Sequence, residues 1–512
     1  MNSPAGASRP LALVVLAAGK GTRLSTGEDA PPKVLVEVLG APLLEHVRRA
    51  LDGLACEPSL VVIGHGSAQV RAWLDGHWKG ARPVLQQPQQ GTGHAVRVAL
   101  DAVPRFAGDV LVVSGDVPQI TRESVDLLLA HHRSTHAAAT FLTGHAPQPG
   151  SLGRVVRSPA GAFEAVVEAR DAVGRPEVLA LTEFNTGLYA FRAEALRPAL
   201  AALSTGNAQG EQYLPDALAG IRRAGGRVEA LAVPGGADLL GVNTWEDLAG
   251  AFAVLRRRIL AQHLGQRVRI VDLEHTIVEV DVQIEAGATL LPFTVVERGC
   301  RIAAGAVVGP FARLRGASVL EARAEVGNFV EVKASTLGRS AKAKHLAYLG
   351  DATVGAEANI GCGTITANFD GSRKHRTTIG PRARIGSGTV LVAPVEVGDG
   401  AVTGANAVVT ARRNVPAGQV VAGVPARPLK GDARPAGLAP SVPAPARGPR
   451  AAQAAAEQAE RRRAIERAAR GGGRGQRQRR AREASARQAE EQRPARREGR
   501  TSRGAGREDG GA

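Results

Sequence analysis

The chain has 512 residues, 44% hydrophobic and 22% charged, with a formal net charge of +17. That length exceeds one ordinary core, so two or three domains are expected, and no apolar run is long enough to span a membrane. The charge points to a nucleic-acid partner only until it is located: residues 431–512 hold 20 Arg against 10 Asp and Glu, which puts +10 of the +17 in the C-terminal tail.

The first predicted element is in "LALVVLAAGKGTRL", where an apolar run meets two glycines, a lysine and an arginine. The spacing is not that of a P-loop, because Lys20 lies between Gly19 and Gly21, and Leu24 stands where a dinucleotide fingerprint needs its third glycine. Arg9 before the run also fits a secretory signal, whereas Val14, Val15 and Leu16 fit a buried parallel strand carrying flexible backbone and cations to a polyphosphate. Up to about Val242, runs such as "LVVIG" and "DVLVVSGD" alternate with helical patterns such as "VRVALDAV" and "VDLLLAHH". This alternation predicts an α/β Rossmann-like domain, residues 1–242, around a largely parallel sheet.

A linking helix is predicted over 243–265. Thr244 caps it with Asp247 three residues on, Leu248, Phe252, Leu255 and Ile259 share a face, and Gly265 ends it. Over 266–430 the period changes. Val278, Ile284, Leu290, Val296, Ile302, Val308, Leu314, Leu320, Val326 and Val332 recur every sixth residue, and the rhythm resumes with Ile379, Ile385, Leu391, Val397, Thr403 and Val409. Neither helix nor flat strand has that repeat; it predicts a parallel β-helix whose aliphatic residues stack coil on coil. The break, roughly 337–378, is expected to project a loop that carries function.

The tail, 431–512, lacks Phe, Trp and Tyr and is rich in Ala, Arg, Gly, Gln and Glu, so disorder is expected, with transient helix in "AAQAAAEQAERRRAIERAAR". Two readings of it stand: a solvated appendage, or a strip that contacts RNA, anionic lipid or an acidic polymer by counterion release. Cys56, Cys300 and Cys362 are widely spaced and form neither a metal-ligand pattern nor a disulfide framework, so a cytoplasmic setting is expected.

The opening stretch is followed in order by "VLQQPQQGTGHAV", "VVSGDVPQI", "SLGRVV", "VVEARDA", "EFNTGLYAF", "EQYLPD" and "GVNTWEDL", then by "NFVEVKAS", "KHLAYLGDATVGAEANIGCGTITANFDG" and "KHRTTIG". Over residues 11–415 this set resembles the bacterial bifunctional family of N-acetylglucosamine-1-phosphate uridyltransferase and glucosamine-1-phosphate N-acetyltransferase. The resemblance implies a nucleotidyltransferase domain, a left-handed parallel β-helix and a homotrimer. It also implies two consecutive reactions: acetyl transfer from acetyl-CoA to glucosamine-1-phosphate, then uridylyl transfer from UTP with release of pyrophosphate.

Uridylyl transfer needs no general base, because the attacking sugar phosphate is already an anion; charge and positioning are the obstacles. The candidates are Arg23 and Lys33 on phosphate, with Leu16, Ala17, Ala18 and Gly19 beside the nucleotide. Ser114, Gly115 and Asp116 end a strand, the usual ligand edge of an open α/β sheet. By resemblance Asp116 and Asn243 hold Mg²⁺, Gln86, Gly91 and Thr92 contact uracil, and Gly153, Glu168 and Asn185 hold the sugar. Acetyl transfer starts from an ammonium ion and needs a base near neutral pH, for which His345 is the candidate.

By resemblance again, Arg315, Lys333 and Lys374 bind the sugar phosphate, Tyr348 and Asn359 the sugar, and Cys362, Asn368, Phe369, Ser387 and Ala405 acetyl-CoA. Cys362 is read as a small binding residue, since the resemblance implies direct transfer. Two departures stand out: Phe369 replaces a frequent Tyr, and Gly423 stands where related enzymes carry an Arg that contacts coenzyme A, with Arg427 four residues on as a substitute. The alternatives are a single-function nucleotidyltransferase with an oligomerising β-helix and a binding protein that works through its basic tail.

Overall fold

The computed structural model describes residues 9–19, 21, 23–24, 30–233 and 239–429. Lys20 of the opening stretch and the tail beyond 429, with its expected disorder and transient helix, lie outside the described residues.

The run Leu11–Ala17 is the central strand of a mixed sheet rather than a leader. The main strand order is Val228–Ala232, Ala139–His145, Glu183–Arg192, Asp109–Ser114, Leu11–Ala17, Ser59–Ile63, Ala81–Leu85, with only Glu183–Arg192 antiparallel to its neighbours along this path. The chain leaves the central strand toward Ser59–Ile63 and returns on its other side as Asp109–Ser114. That reversal opens a crevice at the carboxyl ends of the two strands, where Leu16, Ala18 and Gly19 face Ser114 and Asp116. Helices on both sheet faces bury Val14, Val112 and Phe141 in one core and Val15, Val113 and Leu142 in another.

Thr244 caps the helix Trp245–Gly265 in a reciprocal capping box with Asp247. Leu248, Phe252, Leu255 and Ile259 pack in one cluster with Val38, Leu43 and Val242, as the pattern predicts. Gly265 is the last residue of the helix, as expected. Gln266 follows as the C-cap, and the chain turns at Arg267, whose φ is +65°.

Beyond it every hexapeptide aliphatic is buried, and three hexapeptides make one coil, so Val278 pairs with Val296 and Leu290 with Val308 at 18-residue spacing. Each such buried aliphatic contributes roughly 1.5–3 kcal/mol. The interruption is smaller than expected. Through 337–367 the coil continues as strands, and only its length changes: Leu320 pairs with Leu337 and Val332 with Leu349, a 17-residue spacing. One residue fewer separates Val332 from Leu337, and again Leu349 from Val354, than the hexapeptide demands, which shifts the phase of the six-residue rhythm twice without breaking the prism. The projecting segment is 368–376 alone, which stretches the next spacing to 25 residues, from Ile360 to Ile385.

The α/β part and the β-helix are joined by the helix and by an ion pair in which Arg49 donates to Asp281 through two bonds of 2.8 and 2.7 Å; Arg298, on the β-helix itself, meets the same carboxylate at 2.8 Å and donates across to Gly40 O at 3.3 Å.

Candidate functional sites

Two cavities of about 320 Å³ each flank the carboxyl edge of the sheet and share Leu16, Thr92, Ser114 and Asp116. One is lined by Arg23, Gly153, Glu168, Asn185 and Asn243, the other by Ala18, Gly19, Gln86 and Gly91. Thirteen of the sixteen residues expected at this site thus line one bipartite cleft. Ala17 is buried in the strand, Gly115 holds the turn by donating to Leu16 O at 2.9 Å, and Lys33 lies beneath the floor.

Lys33 Nζ donates to Asp116 Oδ2 and, at 2.7 Å, to Asn243 Oδ1. Asn243 is held by the helix cap: Asp247 Oδ2 accepts from its backbone N–H at 2.8 Å and from that of Thr244 at 2.9 Å. Its own Nδ2 donates to Gly241 O at 3.1 Å, which turns Oδ1 toward Asp116. Asp247 therefore does two jobs, and sequence reasoning saw only the cap. One carboxylate and one amide oxygen converge here, a hard-oxygen donor set that fits Mg²⁺ keeping several waters. Among the described residues no group of three His, Cys, Asp or Glu offers a denser metal site.

The other lining residues are preset by their neighbours. Gly91 has φ +101°, and a Cβ there would lie 2.6 Å from Gln212 O, so only glycine fits. Gln86 Nε2 donates to Gly91 O at 3.0 Å, and Thr92 Oγ1 accepts from Leu214 N at 3.0 Å. Asn185 Nδ2 donates to the Tyr189 hydroxyl at 2.6 Å, a buried partner absent from the sequence reading. Burial, helped by Asp171 and Asp216, pushes the Glu168 carboxyl up to about 7 against the pull of Arg154. A Cβ at Gly153 would lie 2.9 Å from Glu168 Oε1, so that glycine leaves the carboxyl its space.

The second set of residues lies on the β-helix. Arg315 pairs in register with Lys333, and Glu331 with Tyr348, so these side chains stand on one face in successive coils. Arg315 Nε donates to Glu331 at 2.6 Å, and Lys333 Nζ to Asp351 at 3.0 Å. Asp351, also bonded by buried Asn368, is a site neighbour that sequence reasoning missed. The projecting segment, pinned where Asp370 accepts from Ser372 N at 2.8 Å and Arg373 N at 2.7 Å, brings Lys374 against Lys333. The Lys333 ammonium holds Lys374 below the usual lysine value, while Asp351 raises Lys333. Two cations forced together are relieved by an anion between them, as a phosphate would be.

His345, Cys362, Ser387 and Ala405 form one exposed column along a corner, spaced as the coil lengths dictate. Gly423 extends it, two residues past the Thr403–Val421 pair. Its φ of +93° starts a hairpin that folds Arg427 back opposite Ala422. A β-carbon there would meet nothing closer than Pro425 O at 3.7 Å, so the obstacle to a side chain is backbone conformation rather than space. Phe369 is exposed on the projecting segment. Asn359 is not on the Tyr348 face: it pairs with Lys342, three residues before His345, whereas Tyr348 follows the turn at Leu346, φ +34°. On the three coils before His345, one position further along the chain, runs an exposed ladder, Phe293, Phe311 and Phe329, with ring centroids 4.8 and 5.3 Å apart.

Residues 13–219 match the MobA-like NTP transferase domain, and 376–411 match six bacterial transferase hexapeptide repeats. Bifunctional protein GlmU of Thermobifida fusca is 41% identical over 83% of this chain and 94% of its own. The corresponding protein of Rubrobacter xylanophilus is 42% identical over 83% and 95%. This chain belongs to the GlmU family. It is accordingly a bifunctional transferase, an acetyltransferase and uridyltransferase of UDP-N-acetylglucosamine synthesis, and the GlmU pairing of a nucleotidyltransferase domain with hexapeptide coils accounts for the change of period in its sequence.

Proposed function

We propose that the bipartite cleft carries the uridylyl step and the β-helix corner the acetyl step, so that glucosamine-1-phosphate is acetylated and the product uridylylated to a cell-wall precursor. The reading rests chiefly on the convergence of Asp116, Asn243 and Lys33 where the two cavities meet. Gln86, Gly91, Thr92, Ala18 and Gly19 hold the nucleotide, and Gly153, Glu168 and Asn185 hold the N-acetyl sugar. Arg23 and Lys33 offset the charge of two anions brought together, and positioning does the rest. Mg²⁺, when bound through Asp116 and Asn243, supplies further neutralisation of phosphate charge.

At the corner His345 takes the proton of the attacking amine. Arg315, Lys333 and Lys374 hold the phosphate of glucosamine-1-phosphate, with Tyr348 and Asn359 on the sugar. The small side chains of Cys362, Ser387 and Ala405 let the pantetheine lie along the column, with Asn368 and Phe369 beside it. Arg427 serves coenzyme A phosphate in place of the Arg that Gly423 lacks. The Phe293, Phe311 and Phe329 ladder and the position of Asn359 across the corner support a site completed by another copy, as in a cytoplasmic homotrimer.

One experiment tests both sites. Purified protein is incubated with glucosamine-1-phosphate, acetyl-CoA, UTP and Mg²⁺ and analysed by mass spectrometry. UDP-N-acetylglucosamine forms only in the complete mixture. If it formed only from ready-made N-acetylglucosamine-1-phosphate, the β-helix would be a scaffold and the acetyl half of the reading would fall.

A further inference from the structure

His345 has one side-chain partner among the described residues. Its Nδ1 lies 3.1 Å from Oδ1 of Asn328, which stands opposite it in register on the preceding coil. Strands of adjacent coils run roughly 4.8 Å apart, so side chains at matching register stack directly and stay within bonding reach. One coil further back the register reaches Pro310, which has no polar side-chain atom to compete for the Asn328 amide. On the other side of His345 the column continues with Cys362, which forms no hydrogen bond to the imidazole among the described residues. The nearby charges are already matched: Glu325 pairs with Lys342 at 3.4 Å and Lys344 at 2.6 Å.

An amide oxygen only accepts, so it is met by a protonated Nδ1. A neutral imidazole protonated there carries its lone pair on Nε2. We propose that Asn328 is the positioning residue of the acetyl site: it holds His345 in the Nδ1–H tautomer and aims Nε2 at the amine. The proposal rests on the reading of His345 as the base. Asn328 touches no reacting atom; it acts through the imidazole, and it escaped sequence reasoning because a pairing at 17 residues falls outside the hexapeptide rhythm.

The test uses the full chain with Asn328→Ala, Asn328→Asp and, as reference, His345→Ala. Acetyl transfer is followed from pH 6 to 9, and uridylyl transfer from ready-made N-acetylglucosamine-1-phosphate reports folding. Asn328→Ala is expected to lower acetyl-transfer kcat about 10- to 100-fold, with KM for both substrates within about twofold and uridylyl transfer unchanged. Asn328→Asp is expected to restore most of kcat and to move the acidic limb of the profile upward, because a carboxylate against Nδ1–H raises the imidazole pKa. If His345→Ala is inactive while Asn328→Ala keeps wild-type kcat and pH limb, the proposal alone is overturned. If Asn328→Ala misfolds, an Asn328→Asp profile with an unmoved limb overturns it. Retention of acetyl transfer by His345→Ala removes the base reading and the proposal together.

Discussion

The two sites are built on opposite principles. In the α/β part, strand ends far apart in sequence converge on one crevice, and Lys33, Asp116 and Asn243, drawn from three separate segments, meet beneath a cleft that the chain encloses by itself. In the β-helix each residue sees chiefly the coils before and after it, so the column of His345 lies on an open corner, and the cavity of about 380 Å³ that this part does form is at its C-terminal end, around Arg413 and Arg427. His345, Cys362, Ser387 and Ala405 are all exposed, and Asn359 is turned away from Tyr348. The α/β sheet makes its pocket by crossing its own chain, whereas the regular coils around His345 make none and the solenoid gains a cavity only where the hairpin past Gly423 folds back.

Single substitutions should divide the two activities along this line. The largest effect belongs to Asp116→Ala, which removes the carboxylate to which Lys33 is bonded. Uridylyl transfer is expected to fall about 10³-fold, while acetyl transfer, on a separate part of the chain, is spared. Equal loss of both in coupled and uncoupled assays would sink the two-site reading. Next is His345→Ala, expected to lower acetyl transfer roughly 10²-fold and leave uridylyl transfer from N-acetylglucosamine-1-phosphate intact. Because Cys362 is its column neighbour, Cys362→Ala is the control: a loss as deep as that of His345→Ala would indicate an acyl-enzyme instead of direct transfer.

The same contrast decides what could be read from the residues alone. Periodicity exposed the β-helix because each coil repeats the last, and the burial of Val278 through Val332 follows that rhythm. It overstated the interruption because one residue missing before Leu337 and another before Val354 shift the phase of the six-residue pattern while the coil itself continues. The cleft residues were legible as ordered motifs because they lie on strand ends and turns where glycine and polar residues interrupt apolar runs. Their mutual contacts were not, since Lys33 beneath Asp116, Tyr189 beside Asn185 and Asp247 behind Asn243 depend on how distant segments cross. On the β-helix Asp351 and Asn328 were missed for a simpler reason: once the 17-residue spacing is known, Asn328 falls directly under His345.

A smaller effect sharpens the comparison at the open end of the solenoid. With Gly423 unable to reach coenzyme A, Arg427 on the returning hairpin is the cation nearest the column's end in register. Arg427→Ala is expected to raise KM for acetyl-CoA about tenfold, the cost of one charge-assisted bond, with KM for glucosamine-1-phosphate unchanged. An unchanged acetyl-CoA KM would mean that this chain dispenses with the contact.

The smallest effect tests the enclosure of the cleft. Burial holds the Glu168 carboxyl near 7, above its ordinary 4.5, so the folded protein retains a proton that the unfolded chain releases. Between those values the folded state binds more protons, so this group lowers stability as pH rises from about 4.5 to about 7, and the full cost applies above that. Glu168→Gln removes the charge while keeping the shape. Its melting temperature should exceed that of wild type by about 2–4 °C at pH 8, with the gain vanishing toward pH 4. The substrate follows the same proton. A carboxylate accepts from a sugar hydroxyl more strongly than a neutral acid, so KM for N-acetylglucosamine-1-phosphate should fall as pH rises through about 7 in wild type. In Glu168→Gln any remaining pH dependence belongs to the substrate phosphate. Identical profiles for the two proteins would mean that Glu168 does not touch the sugar. No such difference should arise in the KM for glucosamine-1-phosphate at the β-helix, where the proposed binding groups are lysines and an arginine on an open face.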